Sequence, residues 1–328
     1  MQENSQTQEV YARMKATLTG GNVQAGVRSA VVRIIRRNTV GYLFLLPLLA
    51  FLLLYQAYPI LRVLWLSFTD FRYLYPDQTR FVGLANFVRV VQDQIFWQGL
   101  GQAAEFTAIF IPGGVLFPVF LALLLDRVRN ATASGIYRSL LYIPALIPGP
   151  LVFILWSWIY NPSQGLLNWL LIDVLHLFSW SHPPLWLGSD AWFIPCVAFM
   201  EWWWGLGYHT VFFTVGLSAI SSELYEAARI DGAREWQIAL RISLPLLKPM
   251  LLIMLVLRLS TAMGVLVEYL ILGHDTLHPW TVYMYNLAFL NAQPMGYAAA
   301  IGWVGTIIML VVALGMYYVM RPDPETRG

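Results

Sequence analysis

Charge is the scarcest commodity in this sequence. Only 12% of its 328 residues are Asp, Glu, Lys or Arg, and 58% are hydrophobic. A soluble domain carries about 25% charged residues, so a water-facing surface over most of the molecule is excluded and lipid must cover much of it. Cysteine is nearly absent: Cys196 is the single one. That rules out an internal disulfide and a Cys-based metal site, and leaves Cys196 as a small apolar filler in a membrane helix. A net charge of +2 gives nucleic acid nothing to bind. No G-x-x-x-x-G-K-[ST] run exists, so the chain has no P-loop for ATP. No G-x-S-x-G nucleophile elbow exists either. The five histidines are scattered. His274 and His278 stand four apart but are flanked by Gly273 and Pro279, and no third metal ligand accompanies them. The first 30 residues are polar and mixed, and the first apolar run lies too far from Met1 to be a cleavable signal peptide.

Long apolar runs are what the sequence does have. A membrane span needs roughly 20 mostly apolar residues. Six segments qualify: 41–64, 103–125, 139–160, 192–217, 249–272 and 298–320. They predict an all-α membrane protein with six transmembrane helices in one domain, 41–320. A segment 1–40 precedes it, a tail 321–328 follows, and a polar insert 221–247 interrupts it. Basic residues favour the cytoplasmic side. With the N-terminus inside, fifteen fall on the inner side, among them Arg33, Arg36, Arg37, Arg127, Arg129, Arg138, Arg229, Arg234, Arg241, Lys248 and Arg321. Four fall outside: Arg62, Arg72, Arg80 and Arg89. Both termini and the insert are then cytoplasmic.

Proline and glycine punctuate the spans at Pro47, Pro112, Pro144, Pro148, Pro150, Gly113 and Gly205. Neighbouring helices can re-satisfy the backbone groups that such breaks free. Kinked helices suit a protein that rearranges around a cavity, although membrane helices are richer in both residues in any case. Aromatic residues, such as Trp156, Trp158, Tyr160, Trp186, Trp192, Tyr317 and Tyr318, crowd the span ends as boundary anchors. The loop 161–191 reads as a connection with one short interfacial helix.

Ionisable groups inside the membrane cost ~2.5–3.5 kcal/mol at a helix centre and mark candidate sites. Glu201, Arg258 and Glu268 stand near or within spans, with Glu105 at a span edge. Arg258 and Tyr269 are eleven residues apart and fall nearly on one helical face. Two readings stay open for these residues. In one, Arg258, Glu268, Tyr269, Glu201 and Trp204 line a water-filled cavity. In the other, Arg258 and Glu268 pair between helices and Glu201 snorkels to the boundary.

The densest signal is residues 223–245, ELYEAARIDGAREWQIALRISLP. Ser222 is the expected N-cap, with Glu223 at the positive end of a short helix. Asp231-Gly232 marks a turn, since glycine permits positive φ. Trp236, Ala239, Leu240 and Ile242 predict an apolar face on a second helix, which Pro245 ends. A lone amphipathic helix lying on lipid would not need so tight a turn.

This stretch resembles the EAA signature of the membrane subunits of binding-protein-dependent ABC importers, through Glu226-Ala227-Ala228, Asp231-Gly232-Ala233 and Pro245. Further segments are similar to the carbohydrate branch of the maltose and glycerol-phosphate type. These are Tyr58-Pro59-Ile60, Ser67-Phe68-Thr69, Phe81-Val82-Gly83-Leu84, Asn86-Phe87, Tyr142-Ile143-Pro144, Gly165, Asn168 and Gly296-Tyr297-Ala298. The resemblance implies a type I importer permease fold in a prokaryotic cytoplasmic membrane. It implies a coupling helix at 223–232 docking on a separate ATPase, with Glu226 pairing a basic residue there. The implied partners are a second permease subunit, two ATPase subunits that bind ATP and magnesium, and an extracytoplasmic solute-binding protein. The implied work is transport of a sugar, polyol or glycerol phosphate by alternating access, with no cofactor in this chain. A membrane enzyme acting on lipid-linked sugars is the rival from another class; the loops offer no paired carboxylates for it. The chain departs from the family at Ala239, where Phe is usual, and at Gly273–Thr281, where a Gly-Gly-Pro stretch is common.

Overall fold

The computed structural model describes residues 39–128, 130–274, 276–290 and 294–320. The segment up to residue 38, the tail 321–328, Arg129 and Asp275 lie outside the described residues, and with them several of the basic residues behind the expected orientation. The chain divides into two compact units, residues 1–63 and 64–328. Among the described residues the regular structure is helical, with two isolated β-bridges at Thr69–Phe81 and Ser179–His182.

From the first unit, α1 (Thr39–Leu52) passes through a π-helical turn, Leu53–Ala57, into α2 (Tyr58–Ser67), whose last residues belong to the second unit. Pro47 lies inside α1 without ending it. From Leu43 onward its large side chains are exposed, as expected of a span wetted by lipid.

In the second unit a loop closed by Val82 N–H on Phe68 O (2.8 Å) leads to α3 (Ala85–Gln92). The Asn86 side-chain amide donates to Ser67 O and Thr69 O, which explains an asparagine in that loop motif. Asp93 then caps α4 (Gln94–Asp126), accepting from Ile95 N–H and Phe96 N–H. This helix runs 33 residues through Pro112 and Pro118, well past the expected start at 103, because nothing after the Asp93 cap breaks it.

The expected span 139–160 is not one straight helix. α5 (Ala131–Tyr142) and a 3₁₀ turn, Ile143–Leu146, meet α6 (Gly149–Ile159) at 92°. Pro148 explains the break. It has no N–H and forces Ile147 into extended backbone, φ −79° and ψ 127°. After α6 come α7 (Leu166–Trp169) and a π-helical turn, Leu170–Val174, as the short helix expected in that loop. Asn168 staples the loop: its amide donates to Pro162 O and Pro184 O, and its Oδ1 accepts from Trp186 Nε1 at 2.7 Å.

α8 (Asp190–Ser218) packs along α4 as the principal helix pair. The insert holds α9 (Ser222–Ile230), α10 (Glu235–Ile238), a π-helical turn Ala239–Ser243 and α11 (Leu244–Leu246). α12 (Lys248–Met263) and α13 (Val267–Leu272) follow, then α14 (Trp280–Phe289) and α15 (Met295–Met320). The break between α12 and α13 is sealed by its neighbours. Trp280 Nε1 donates to Met263 O at 2.8 Å, Thr281 Oγ1 donates to Val265 O, and Leu266 N–H donates to Glu268 Oε2 at 3.1 Å.

Among the described residues, four helices are long and apolar enough to cross a membrane, 43–67, 94–126, 248–272 and 295–320, or five if the bent pair counts as one. That is fewer than the six expected. α8 has the length, with 29 residues, but Glu201, His209 and three consecutive tryptophans dilute its hydropathy. The buried core runs along α4, from Phe96 through Phe106 and Phe110 to Val119.

Candidate functional site

The insert is a capped, tightly turned lever. Ser221, rather than the expected Ser222, caps α9, accepting from Glu223 N–H at 3.3 Å. The helix closes through Asp231 N–H on Ala227 O, Gly232 N–H on Arg229 O and Ala233 N–H on Ala228 O. Gly232 adopts φ +78°, as the turn requires. A Cβ there would meet nothing within 4 Å, so its glycine answers to backbone conformation and not to crowding. Glu226, Ala227 and Asp231 are exposed, and Ala228 and Ala233 half-exposed. Ile230 is 85% exposed.

The apolar face expected on the second helix is placed differently. Trp236 and Leu240 are exposed, while Ile238, Ala239 and Ser243 are buried. Ala239 turns inward as expected, but Ile238, on the side of α10 opposite Trp236, joins it in place of Trp236 and Leu240. Pro245 stands inside the continuous helical run 235–246, one residue before it ends at Leu246.

Two residues that the sequence reading missed tie the lever to the bundle. Glu235 Oε1 accepts from Arg229 Nε at 3.2 Å, and Arg127, just past the end of α4, donates to Glu235 O at 3.2 Å. Tyr225 and Ser243 share a further hydrogen bond at 3.2 Å. A charge of each sign flanking a turn was visible in the sequence; the Arg127 contact spans 108 positions and left no local signal.

A second group of candidate residues lies inside the bundle. Arg258 is 5% exposed and Glu201 4% exposed. The Arg258 guanidinium carbon lies 4.2 Å from the centre of the Phe110 ring, a cation–π contact worth about 2 kcal/mol when desolvated. Gly114 leaves the room for it: a Cβ there would stand 2.6 Å from Nη2. Gly113 does the same for the Trp202 ring, whose Nε1 donates to Phe110 O at 2.8 Å. No ion pair within 4.0 Å joins Arg258 to Glu201 or Glu268 among the described residues. Arg258 Nε and Nη2, Glu201 Oε1 and the Tyr269 hydroxyl are buried and have no hydrogen-bond partner among the described residues.

Several expectations change here. Glu201 does not snorkel; it is enclosed within α8. Glu268 neither pairs with Arg258 nor stands free, since Oε2 caps the α12–α13 break. Arg258 and Tyr269 do not share one helix face, because the break at Gly264–Leu266 separates them. Both are buried nonetheless. Trp204 donates to Ile147 O at 3.0 Å and holds the bend between α5 and α6. Glu105 is exposed. The region of the missing Gly-Gly-Pro stretch packs against the start of α8, with His274 edge-on to Phe193 and Thr276 Oγ1 donating to Asp190 at 2.7 Å.

The family model described as "Binding-protein-dependent transport system inner membrane component" matches residues 114–322. The chain belongs to that family. It is therefore a transport permease subunit and not an enzyme. The permease is 33% identical to the "Probable ABC transporter permease protein YurN" of Bacillus subtilis strain 168, over 85% of its own length and 95% of that protein's. It is 32% identical to the "Trehalose/maltose transport system permease protein MalF" of Thermococcus litoralis, over 70% of this chain and 75% of that one. It is 30% identical to the "Diacetylchitobiose uptake system permease protein NgcF" of Streptomyces coelicolor, over 87% and 83%. Its fold matches a chain from the "Crystal structure of a bacterial ABC transporter involved in the import of the acidic polysaccharide alginate", with a TM-score of 0.77 at 24% identity, covering 90% of the permease and 99% of that chain.

Proposed function

We propose that this permease carries a sugar or related polar solute across a prokaryotic cytoplasmic membrane by alternating access, driven by a separate ATPase that docks on α9 and the turn after it. Six spans, with both termini and the insert on the cytoplasmic side, suit this reading. A second permease subunit, two ATPases holding ATP and magnesium, and an extracytoplasmic solute-binding protein would complete the importer. The observation that carries the proposal is the lever. A short helix, capped at both ends and turned by Gly232 at positive φ, leaves Glu226, Ala227 and Ile230 exposed while Glu235 is tied to the end of α4. An exposed, conformationally fixed helix that is mechanically joined to a spanning helix suits the transmission of force. Sugar as cargo is supported by the names of relatives that share most of this chain's length. Arg258, Glu201 and Tyr269, with polar atoms buried and unspent, are the proposed solute-facing groups.

The test is uptake in membranes that contain the full importer. Glu226→Lys and Gly232→Val should each abolish ATP-dependent uptake and weaken retention of the ATPase, with the permease still inserted. Undiminished ATP-driven uptake in both variants would end the coupling proposal.

A further inference from the structure

Glu201, Gly205 and His209 follow one another at four-residue spacing along α8, so they lie on one face of that helix. α4 packs against both α8 and α12, and Arg258 reaches from α12 to the middle of this row. A Cβ on Gly205 would stand 3.7 Å from Arg258 Nη1. On the α4 side the guanidinium carbon rests 4.2 Å from the centre of the Phe110 ring. The guanidinium thus sits at the glycine rung. Glu201 lies one turn to one side, about 6 Å along the axis, and His209 one turn to the other.

No acceptor meets it at this rung. Arg258 Nε and Nη2 and Glu201 Oε1 are buried without a hydrogen-bond partner among the described residues. Buried charges are ordinarily paired, and these two are of opposite sign. Other polar groups of the same helices are spent. Glu268 Oε2 accepts from Leu266 N–H, His209 Nδ1 donates to Gly205 O at 2.6 Å, and Trp202 Nε1 donates to Phe110 O at 2.8 Å. Arg258 and Glu201 are enclosed by this chain's own helices, so their burial does not depend on any further subunit.

Gly205 keeps the way between the two charges clear. Any side chain there would meet the His209 ring at 2.7 Å as well as the guanidinium. Arginine has many rotamers, so a swing of the guanidinium, helped by a small slide of α12, spans one turn of α8.

We propose that Arg258 has two seats: the Phe110 ring, as in this structure, and the Glu201 carboxylate, in the opposite state of the transport cycle. The inference rests on the alternating-access reading and deepens it. On Phe110, Arg258 leaves its own donors and the Glu201 oxygen free for the hydroxyl groups of a polar solute. On Glu201, the two charges satisfy each other and hold no solute. A ligand shifts an equilibrium only by its differential affinity for the two states. Solute therefore favours the Phe110 seat, and closing the pair releases it.

The test is the structure of the importer in nanodiscs, with its ATPase and binding-protein partners, solved without nucleotide and again with ATP and vanadate. The expected result is an Arg258 nitrogen within about 4 Å of a Glu201 carboxylate oxygen in one condition, and the guanidinium over Phe110 in the other. Helices that move between the conditions while Arg258 stays on Phe110 overturn the proposal and leave alternating access standing. Ordered waters that separate the two side chains in both conditions overturn it as well. Identical helix positions in both conditions would overturn alternating access itself, and the second seat with it. Glu201→Gln gives an independent reading, because it leaves the Phe110 seat intact. In the condition that populates the pair, it should shift the particle populations toward the Phe110-seated conformation by about tenfold. Unchanged populations in that variant overturn the proposal.

Discussion

Tyr283 donates its hydroxyl to Asp93 Oδ2 at 2.7 Å, joining the cap of α4 to α14 across 190 positions. Tyr297 donates to the same oxygen from α15, and its ring lies 3.9 Å beneath the Arg89 guanidinium. One carboxylate therefore holds the starts of three helices.

The Asp93 hub should respond to pH at both extremes. Burial raises the Asp93 pKa, but the hydrogen bonds from Tyr297, Tyr283, Ile95 and Phe96 outweigh it and leave the carboxyl below its usual value. Its contribution is complete above the unfolded value of about 3.9 and is lost as pH falls through the lower folded value. Burial and the Asp93 hydrogen bond push Tyr283 up to about 12. Its contribution is complete below its unfolded value of about 10 and is lost as pH rises through the folded one. The hub's own contribution to thermal stability should therefore be flat between roughly pH 4 and pH 10, falling on either side. Tyr283→Phe should lower stability by about 1–2 kcal/mol at pH 7 and soften the alkaline fall. An unchanged alkaline limb in that variant would remove Tyr283 from the hub.

Gly232→Ala should act through the backbone alone. With open space around it but φ at +78°, the added Cβ meets strain of about 1 kcal/mol and no clash. Uptake should fall by several-fold without loss of protein, whereas Gly232→Asn, which tolerates that conformation better, should recover part of it. Equal activity in the alanine variant and the unmodified chain would mean the turn is not held in the left-handed region during transport.

The Glu235 bracket should transmit rather than bind. Arg127→Ala removes the link to α4 while leaving the exposed face of α9 intact. ATPase retention should persist while uptake per ATP hydrolysed declines. Loss of the ATPase itself from the purified complex would assign Arg127 to docking instead.

Gly114→Leu should be among the most damaging single changes in the bundle. It drives a side chain into the Arg258 guanidinium and unseats it from Phe110, leaving a buried charge without its cation–π contact. A loss of about 3–5 kcal/mol is expected from stranding such a charge, read as failure to accumulate in the membrane. The double variant Gly114→Leu with Arg258→Met should recover in part, since no charge is then stranded.

The apolar runs, the single cysteine and the Asp231-Gly232 turn were legible because each acts within a few residues. The lever's cap was misplaced by one position, since Ser221 and Ser222 are chemically equivalent and only the chain's direction of entry selects between them. The second helix of the insert differs from the expectation at Trp236, which is exposed because Ile238, on the opposite side of the same helical turn, is the residue that packs inward. The bend at Pro148 was foreshadowed by three prolines, but not its size.

What the sequence determined by itself was the solvent and part of the local geometry: that long segments belong in lipid, and where the backbone must turn left-handed at Gly232. Those follow from side-chain transfer energies and short-range backbone sterics. The tertiary structure decided which polar groups meet. That Asp93 collects Tyr283 and Tyr297, and that Arg127 reaches Glu235, depend on helices brought together from distant parts of the chain. Such contacts follow from how apolar faces pack, and no local pattern of residues records them.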